Sequence, residues 1–407
     1  MTNKYIFFSR LNYNSAITHE LGSDDERFYI TFSVKFPYKF NRDRELSNYT
    51  ELARQLCDTF LIVAHRQKLV SYFVFSQMTV RDHESKTCEP QEEEHRNVLI
   101  RKSSSTMLKW NLDLRPFTIA DLVRLSSATL QAHGIDTILN LPSEKNILND
   151  FCTNVAMGYN PELPYHNFKH GFMVMHITNN LLSISSAYAT PLLRASLLTA
   201  SLSHDIFHDG RTNSFHVKTK SSIALLYPDY STLERMHAAK AVETLQSSGM
   251  LNYIGSNQKV RLFKEAVCEL ILSTDMGSQP QLLRNVVENG TTPLFISKLV
   301  IHAADIANPT LSPELSQYWA ELVLQEFTQQ VEHEEALGIE QTLFLKAKVG
   351  TAQEAALHLG FITKFVQPAW EALSTVLPNN NSVIHSCLNS IASNKRYWEA
   401  RRAHLNN

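Results

Sequence analysis

Histidine and aspartate side chains gather in four short stretches of this sequence. The stretches are NPELPYHNFKH (160–170), SLSHDIFHDGRTN (201–213), LERMH (233–237) and HAADIANP (302–309). The second of them follows a long apolar run, and burying several unpaired charges there would be very unfavourable. A compensating interaction is therefore required, and the candidates are mutual hydrogen bonding, solvent in a cleft or a metal ion.

Imidazole nitrogens and carboxylate oxygens from separate segments can converge on divalent metal ions. We predict that His170, His204 and Asp305 complete one metal position and that Asp205, whose carboxylate can bridge, is shared with a second. Water around the second metal would be oriented by three further polar groups: His208, Glu234 and Asp275. Two ions held close together can generate hydroxide and stabilise phosphoryl oxygens, which favours a metallohydrolase. A single-metal site and an all-protein polar network stay open as alternatives.

Helices are the elements expected to position these groups. His166 and His170 are four residues apart, as are His204 and His208, and this spacing predicts that each pair shares one helix face. Gly210 is predicted to end the second of these helices.

The chain from residue 116 onward has the pattern of successive helices, and no useful strand-period segment follows Met107. Thr118 and Ser143 are predicted N-caps, and the first helix is expected to end at Gly134. The predicted organisation is a small α/β N-terminal module of unknown role, a charged linker and an all-α, multi-helix catalytic domain, at residues 1–82, 83–109 and 110–400.

The N-terminal module is inferred from a change in sequence pattern. Residues 27–36 alternate between apolar and polar side chains, which predicts a strand. A helical spacing at 49–67 and an aromatic, β-branched segment at 69–80 complete a strand–helix–strand order.

Composition restricts the class of protein. Lys and Arg total 38 against 40 for Asp and Glu, so the formal net charge of −2 argues against nucleic acid as a partner. Five scattered cysteines indicate reduced thiols and a cytoplasmic, intracellular location. The most apolar segment, 181–202, contains Pro191 and Arg194 and is predicted to be a buried helix rather than a transmembrane span.

The clusters, in this order, resemble the class I 3′,5′-cyclic nucleotide phosphodiesterases, a branch of the His-Asp metal phosphohydrolases. The similar motifs are YHN-x-x-H (165–170), H-D-x-x-H-x-G-x-x-N (204–213), T-D-M (274–276), A-D-x-x-N-P (304–309) and GFITKFVQPAWEAL (360–373). The resemblance extends from about residue 110 to about residue 398 and leaves the N-terminal module without a counterpart.

The resemblance implies a binuclear centre with tightly bound zinc and with magnesium or manganese as the second ion. The implied zinc ligands are His170, His204, Asp205 and Asp305. His166 would donate a proton to the departing ribose 3′ oxygen. The remaining implied site residues are two catalytic carboxylates, Glu234 and Asp275, and three supporting side chains, His208, Asn213 and Thr274.

Substrate recognition is implied at a further group of residues: Tyr165, Asn308, Val323, Phe327, His358 and Phe361. Here His358 stands where the family has a glutamine that hydrogen-bonds the purine edge. A neutral imidazole cannot make the same bidentate contact, because its donor and acceptor lie too far apart. Gln353 and Gln367 lie nearby, so a local misalignment is an alternative. Met236 replaces one histidine of a family pair, and the aspartate expected near Leu345 is missing.

The function predicted from these features is hydrolysis of a 3′,5′-cyclic nucleotide to the 5′-monophosphate by hydroxide from the binuclear centre. The resemblance to family branches that carry Asn-Pro after the metal aspartate, here Asn308-Pro309, favours cyclic AMP over cyclic GMP, whereas His358 removes the usual purine contact. The alternatives are another His-Asp phosphohydrolase and a non-catalytic nucleotide-binding sensor. The expected partners are the cyclic nucleotide and a second copy of the chain in a homodimer.

Overall fold

The computed structural model describes a backbone hairpin and most of the chain after it, namely residues 16–24, 27–35, 109–184, 189–228, 230–289, 292–377 and 382–406. The chain divides into two compact units, Met1–Lys86 and Thr87–Asn407. The helix predicted at 49–67, the strand predicted at 69–80 and the linker as far as residue 108 lie outside the described residues.

The described part of the first unit is an antiparallel hairpin. Strand β1, Ala16–Asp24, pairs with strand β2, Arg27–Lys35, so that Ala16 lies opposite Lys35. The strand predicted at 27–36 is confirmed as β2. Strand β1 escaped prediction because its sequence, AITHELGSD, contains glycine and polar residues that are uncommon in strands.

The described residues of the second unit form α-helices and short 3₁₀ or π turns, without a strand. In chain order the helices are α1 Ile119–Ala132, α2 Ile135–Ile138, α3 Ile147–Met157, α4 Phe168–Ile184, α5 Pro191–Ser203, α6 Asn213–Thr219, α7 Ser222–Leu226, α8 Thr232–Ser247, α9 Asn257–Leu272, α10 Gln279–Asn289, α11 Pro293–Asp305, α12 Pro313–Ala336, α13 Ala352–Phe361, α14 Gln367–Val376 and α15 Ser382–Asn406. The predicted all-α catalytic fold is confirmed. No helix among the described residues has the length and apolar character needed to cross a membrane.

Helices α4, α5 and α11 pack against one another at the centre of this unit. Their residues are apolar nearly all round, as expected for helices that neighbours enclose on every side. Thr190 and Thr292 cap the starts of α5 and α11, and a proline follows each cap. The polar clusters lie at the ends of these buried helices, where side chains can face a common space.

The predicted helix starts had different outcomes. Thr118 caps α1 in a capping box with Asp121, as predicted. The Ser143 prediction is wrong, because α3 begins at Ile147 after Asn146. The Ser143 hydroxyl bonds to its neighbour Glu144 at 3.5 Å instead of capping a helix.

The predicted pairing of histidines on helix faces is also wrong. Helix α5 ends at Ser203, before His204, and Phe207 has a left-handed φ of 65°. The Phe207 N–H donates to the Gly158 carbonyl at 2.8 Å, a tertiary bond that replaces a helical one. His166 likewise precedes the first residue of α4. Gly210 therefore lies in a loop rather than at the end of a helix.

Candidate active site

The four predicted metal ligands lie at helix ends that meet in the centre of the second unit. His170 is in the first turn of α4, and Asp305 is the last residue of α11. His204 and Asp205 directly follow α5. Three segments far apart in sequence therefore bring their imidazoles and carboxylates together.

The ligand atoms of this four-residue group surround one point. The Nε2 atoms of His170 and His204 are 3.2 Å apart, and Asp305 Oδ1 lies 3.0 and 3.1 Å from them. Asp205 Oδ2 is 3.3 Å from His170 Nε2 and 3.1 Å from His204 Nε2. Atoms at these separations can all lie about 2.1 Å from one cation, which is the bond length of zinc with nitrogen and oxygen ligands.

The proton positions agree with metal binding. The Nδ1–H of His204 donates to the Ser201 carbonyl at 3.0 Å, so the neutral ring presents a lone pair at Nε2. Burial disfavours the charged form of Asp205, but the protonated form of His204 outweighs burial and holds the pKa of this carboxyl well below its usual range. Burial likewise opposes the charge on His204, but Asp205 and Asp305 outweigh it and raise the pKa of this imidazole, so a bound cation would take the place of the Nε2 proton. Neutral imidazoles and ionised carboxylates are the forms that metals bind, so this group fits a divalent cation.

His166 is fixed by Glu326 of α12. Its backbone N–H donates to Glu326 Oε2 at 3.0 Å, and its ring Nδ1–H donates to Oε1 of the same carboxylate. The His166 Nε2 lies 4.0 Å from Asp205 Oδ2. Burial opposes the imidazolium, but the Glu326 carboxylate outweighs burial and raises the pKa of His166 to about 9.

Glu326 is a site residue that the sequence analysis missed. It is 1% exposed, and its carboxylate also accepts the Tyr165 N–H at 3.1 Å. The sequence feature that could have identified Glu326 is its position between Val323 and Phe327, two predicted substrate contacts. Both of these residues lie on the side of α12 that lines the pocket. A charged residue on that side needs a partner, and His166 supplies it.

Two further histidines stack behind His166. The His208 ring lies 4.0 Å from the His166 ring and 5.5 Å from the His237 ring. Burial lowers the pKa of His208 to about 3 and that of His237 to about 4. The Gly210 N–H donates to His208 Nδ1 at 2.9 Å, so the neutral His208 ring carries its proton on Nε2.

The predicted carboxylates Glu234 and Asp275 have different surroundings. Asn213 Nδ2 donates to Glu234 at 2.9 Å, while burial and the negative charge of Asp275 raise the pKa of Glu234 to about 7. Asp275 accepts the Ser231 hydroxyl at 2.5 Å and the Gly277 N–H at 2.8 Å. The Thr274 hydroxyl donates its proton to the Ile271 carbonyl at 2.8 Å, so its oxygen can still accept a hydrogen bond.

A pocket of about 580 Å³ adjoins this centre and is lined mainly by apolar side chains. All six residues predicted to contact substrate line it: Tyr165, Asn308, Val323, Phe327, His358 and Phe361. Asn308 Nδ2 donates to the Tyr165 hydroxyl at 2.7 Å, and the Tyr165 ring lies 4.7 Å from the ring of the predicted ligand His170. The pocket and the metal-ligand group are therefore contiguous.

His358 forms part of the pocket wall together with Trp398 of α15, whose ring lies 4.6 Å away. Burial lowers the pKa of His358 to about 4, and its Nε2 is buried without a hydrogen-bond partner. Gln353 also lines the pocket, whereas Gln367 is absent from its lining and donates to Glu371. Of the two nearby glutamines, only Gln353 therefore lies in the pocket wall.

The chain is similar to proteins of one family. A profile described as 3′5′-cyclic nucleotide phosphodiesterase matches residues 165–387, more than half of the 407 residues. The 3′,5′-cyclic-AMP phosphodiesterase, isoform F, of Drosophila melanogaster is 29% identical over 289 residues, which are 66% of this chain and 43% of that protein. This chain therefore spans less than half the length of that relative.

Solved structures with the same fold include phosphodiesterase domains from the choanoflagellate Salpingoeca rosetta. The phosphodiesterase domain of its RhoPDE fusion protein is 28% identical and aligns with a TM-score of 0.67 over 75% of this chain and 98% of that one. A second structure, of the phosphodiesterase domain of the rhodopsin phosphodiesterase, has 27% identity and a TM-score of 0.68 and covers 75% of this chain and 94% of that one.

Proposed function

This chain belongs to the 3′,5′-cyclic nucleotide phosphodiesterase family, and from that premise we propose that it hydrolyses a 3′,5′-cyclic nucleotide to the 5′-monophosphate. The observation that carries the proposal is the convergence of two imidazoles and two carboxylates, with ligand atoms 3.0 to 3.3 Å apart, beside an apolar pocket. The pocket has the size and character of a small-molecule site.

The proposed metals are zinc in the group of His170, His204, Asp205 and Asp305 and, as the family resemblance implies, magnesium or manganese in a second position that shares Asp205. When bound, the pair supplies a hydroxide nucleophile and neutralises charge on the phosphoryl oxygens. Asn213 donates to Glu234, and the negative charge of Asp275 acts on that carboxyl. We assign these three side chains and Thr274 to orienting water at the second metal.

His166 is the proposed general acid. Its Nδ1–H is committed to Glu326, so its Nε2–H is the proton that can reach the departing ribose 3′ oxygen. The carboxylate keeps the ring protonated near neutral pH, which is the form that protonation of an alkoxide leaving group requires. His208 stacks on the ring and limits its rotation.

The purine is expected to lie between the apolar side chains of Val323, Phe327 and Phe361. Asn308 and His358 would contact its polar edge, and Tyr165 would support Asn308. We propose cyclic AMP as the preferred substrate on the strength of Asn308-Pro309. His358 supplies fewer hydrogen bonds than a glutamine, so discrimination against cyclic GMP is expected to be modest.

The test is an assay of cyclic AMP and cyclic GMP hydrolysis by the purified chain, with and without chelator. Elemental analysis of the same samples measures the bound metals. We expect 5′-monophosphate from metal-loaded protein and none after chelation. His166→Ala should lower kcat by about 10²- to 10⁴-fold while the metal content stays unchanged. Hydrolysis of phosphomonoesters alone would indicate another His-Asp phosphohydrolase, and nucleotide binding without turnover would indicate a sensor.

Three broader predictions accompany this proposal. They are the domain boundaries at residues 82/83 and 109/110, the homodimer and the intracellular location. Limited proteolysis, analytical ultracentrifugation and cell fractionation are the respective measurements.

A further inference from the structure

The helical backbone after α13 widens into a π turn, Ile362–Val366. Here the Gln367 N–H donates to the Ile362 carbonyl, five residues back instead of four. The sequence supplies a cause. In an α-helix the Lys364 carbonyl would accept from residue 368, but Pro368 has no N–H and its ring would clash with that carbonyl. The Lys364 carbonyl therefore lacks its ordinary helical donor.

Gln279, the first residue of α10, supplies a donor from another part of the fold. Its Nε2 donates to the carbonyls of Lys364 and Phe365, each at 3.3 Å. The side chain is 3% exposed, so these contacts are made away from bulk water, where a lost donor is not easily replaced. The two carbonyls fix the orientation of the amide, and its Oε1 lies 2.8 Å from His302 Nε2.

Contacts on both sides connect the π turn to α11, the helix that ends at Asp305. On one side, Gln279 reaches His302, a 0% exposed residue one turn before Asp305. On the other side, the Trp370 Nε1–H of α14 donates to the carbonyl of Ala303 at 3.1 Å. The position of the turn therefore depends on the same helix that carries a predicted metal ligand.

The π turn also carries the aromatic part of the pocket wall. Phe361 directly precedes the turn, Phe365 lies within it, and their rings are 5.7 Å apart. Both residues line the pocket. Because a π turn holds an extra residue, its loss would rotate the side chains on one side of it relative to those on the other. The surface on which a base is expected to stack would then change.

We propose that Gln279 is a positioning residue for nucleotide binding, because it holds the π turn that sets Phe361 and Phe365 in the pocket wall. The inference rests on the proposed function, since it concerns how this pocket receives a nucleotide. Gln279 is outside the pocket lining and outside the group of four metal ligands. Its loss therefore weakens binding and leaves the chemical step unchanged.

Gln279→Met tests this role, because methionine has a similar length and no hydrogen-bond donor. The probes are AMP and GMP, the 5′-monophosphate products, which bind to the metal-loaded full chain without turnover. We expect their Kd values, measured by calorimetry, and the KM for the cyclic nucleotides to rise about tenfold, with kcat and metal content unchanged. A variant that was only less stable would instead lose kcat and binding stoichiometry.

Gln281→Met is the matched control on the same helix. Gln281 is exposed and donates to Asn285 at 2.7 Å, away from the π turn. Its substitution should leave Kd, KM and kcat at their wild-type values. If circular dichroism shows that Gln279→Met does not fold, Gln279→Glu replaces it, because that change removes the donor and keeps an oxygen beside His302.

Pro368→Ala tests the cause of the dependence on Gln279. The substitution returns an N–H to residue 368, so the Lys364 carbonyl regains a donor from its own helix. Gln279→Met should then raise the Kd for AMP much less in the Pro368→Ala background than in the wild type. Equal effects in the two backgrounds would overturn the proposal.

Two outcomes separate this inference from the proposed function. If the wild type binds AMP or GMP and hydrolyses cyclic nucleotide, but Gln279→Met has the same Kd and KM, the Gln279 assignment alone is overturned. If the wild type binds neither monophosphate and hydrolyses no cyclic nucleotide, the proposed function is overturned and this inference falls with it.

Discussion

The ionisation of His166 depends on one residue from a distant part of the chain. Glu326 is 160 positions away, yet its carboxylate accepts both the ring and the backbone N–H of His166. Burial by itself would keep the ring neutral, and the carboxylate reverses that tendency. Glu326 is therefore a positioning residue for the proposed general acid His166, and it sets the pH range in which that ring is protonated.

Glu326→Gln should move the alkaline limit of activity to lower pH. A general acid works while it is protonated, so activity is present below the pKa of His166 and is lost as the pH rises through it. In the wild type that pKa is about 9, and it falls when the carboxylate charge is removed. The measurement is the pH dependence of kcat. Glu332→Gln, an exposed change on the same helix, is the control and should leave the profile unchanged. An unshifted alkaline limit in Glu326→Gln would contradict the assignment.

His358→Gln should sharpen the discrimination between cyclic nucleotides. The glutamine amide both donates and accepts in line with the purine edge, whereas neutral His358 cannot make this pair of bonds. One additional hydrogen bond of about 1.4 kcal/mol corresponds to a tenfold change in the ratio of kcat/KM for cyclic AMP and cyclic GMP. Gln353→Leu is the companion variant. A ratio that changes only in Gln353→Leu would show that Gln353, and not residue 358, faces the base.

At the scale of the elements, helix α4 approaches the end of α5 closely at a glycine beside a ligand. A Cβ atom on Gly171 would lie 2.6 Å from the Tyr159 hydroxyl and 2.8 Å from the Leu202 carbonyl. The same hydroxyl accepts the Asp205 N–H at 3.2 Å. The close approach of α4 to the end of α5, which directly precedes His204 and Asp205, therefore requires residue 171 to have no side chain.

Gly171→Ala should destabilise the protein and disturb the metal-ligand group. Overpacking against a carbonyl and a buried ring costs about 1–3 kcal/mol in the free energy of unfolding. Gly360→Ala is the matched control, since a Cβ on Gly360 of α13 meets nothing within 4 Å. It should stabilise the protein by up to about 1 kcal/mol, because alanine is the better helix former. Urea unfolding measures both values, and equal effects of the two variants would refute the close-approach argument.

Across the whole molecule, the proposed metal centre connects three segments of the core. Its ligands come from the start of α4, the end of α5 and the end of α11, so a bound cation would cross-link three segments of the core. A ligand that binds only the folded state stabilises it by RT times the natural logarithm of one plus the ratio of its free concentration to its Kd.

Removal of the metal should lower the thermal stability of the catalytic unit. A cation present at 100 to 1,000 times its Kd contributes about 3–4 kcal/mol, which corresponds to a fall in Tm of roughly 5–15 °C after chelation. Asp205→Ala should retain less metal, and its Tm should not respond to chelator. Differential scanning calorimetry with elemental analysis makes the comparison. If chelation removed the metal and left the wild-type Tm unchanged, the cross-linking role would be wrong.

Local pattern was sufficient to predict much of this protein. Helical periodicity predicts the all-α unit, the capping box at Thr118 begins its first helix, and the alternation at 27–36 predicts β2. The side chains brought together as candidate ligands are also those selected from the clusters, because the order and spacing of several motifs jointly resemble one family. Helix capping, helical periodicity and strand alternation depend on residues only a few positions apart, so they can be recognised in the sequence without the fold.

Only the tertiary structure decided the features that depend on contacts between distant segments. The end of α5 at Ser203 is set by the bond between Phe207 and Gly158, and the partner of His166 is a glutamate of α12. The orientation of His237 Nε2 towards Asp205 likewise follows from the Ile206 carbonyl on another segment. Hydrogen bonds and ion pairs of this kind join residues that are far apart in the sequence, at spacings that follow no helix or strand repeat. The packing of the helices therefore determines which residues meet.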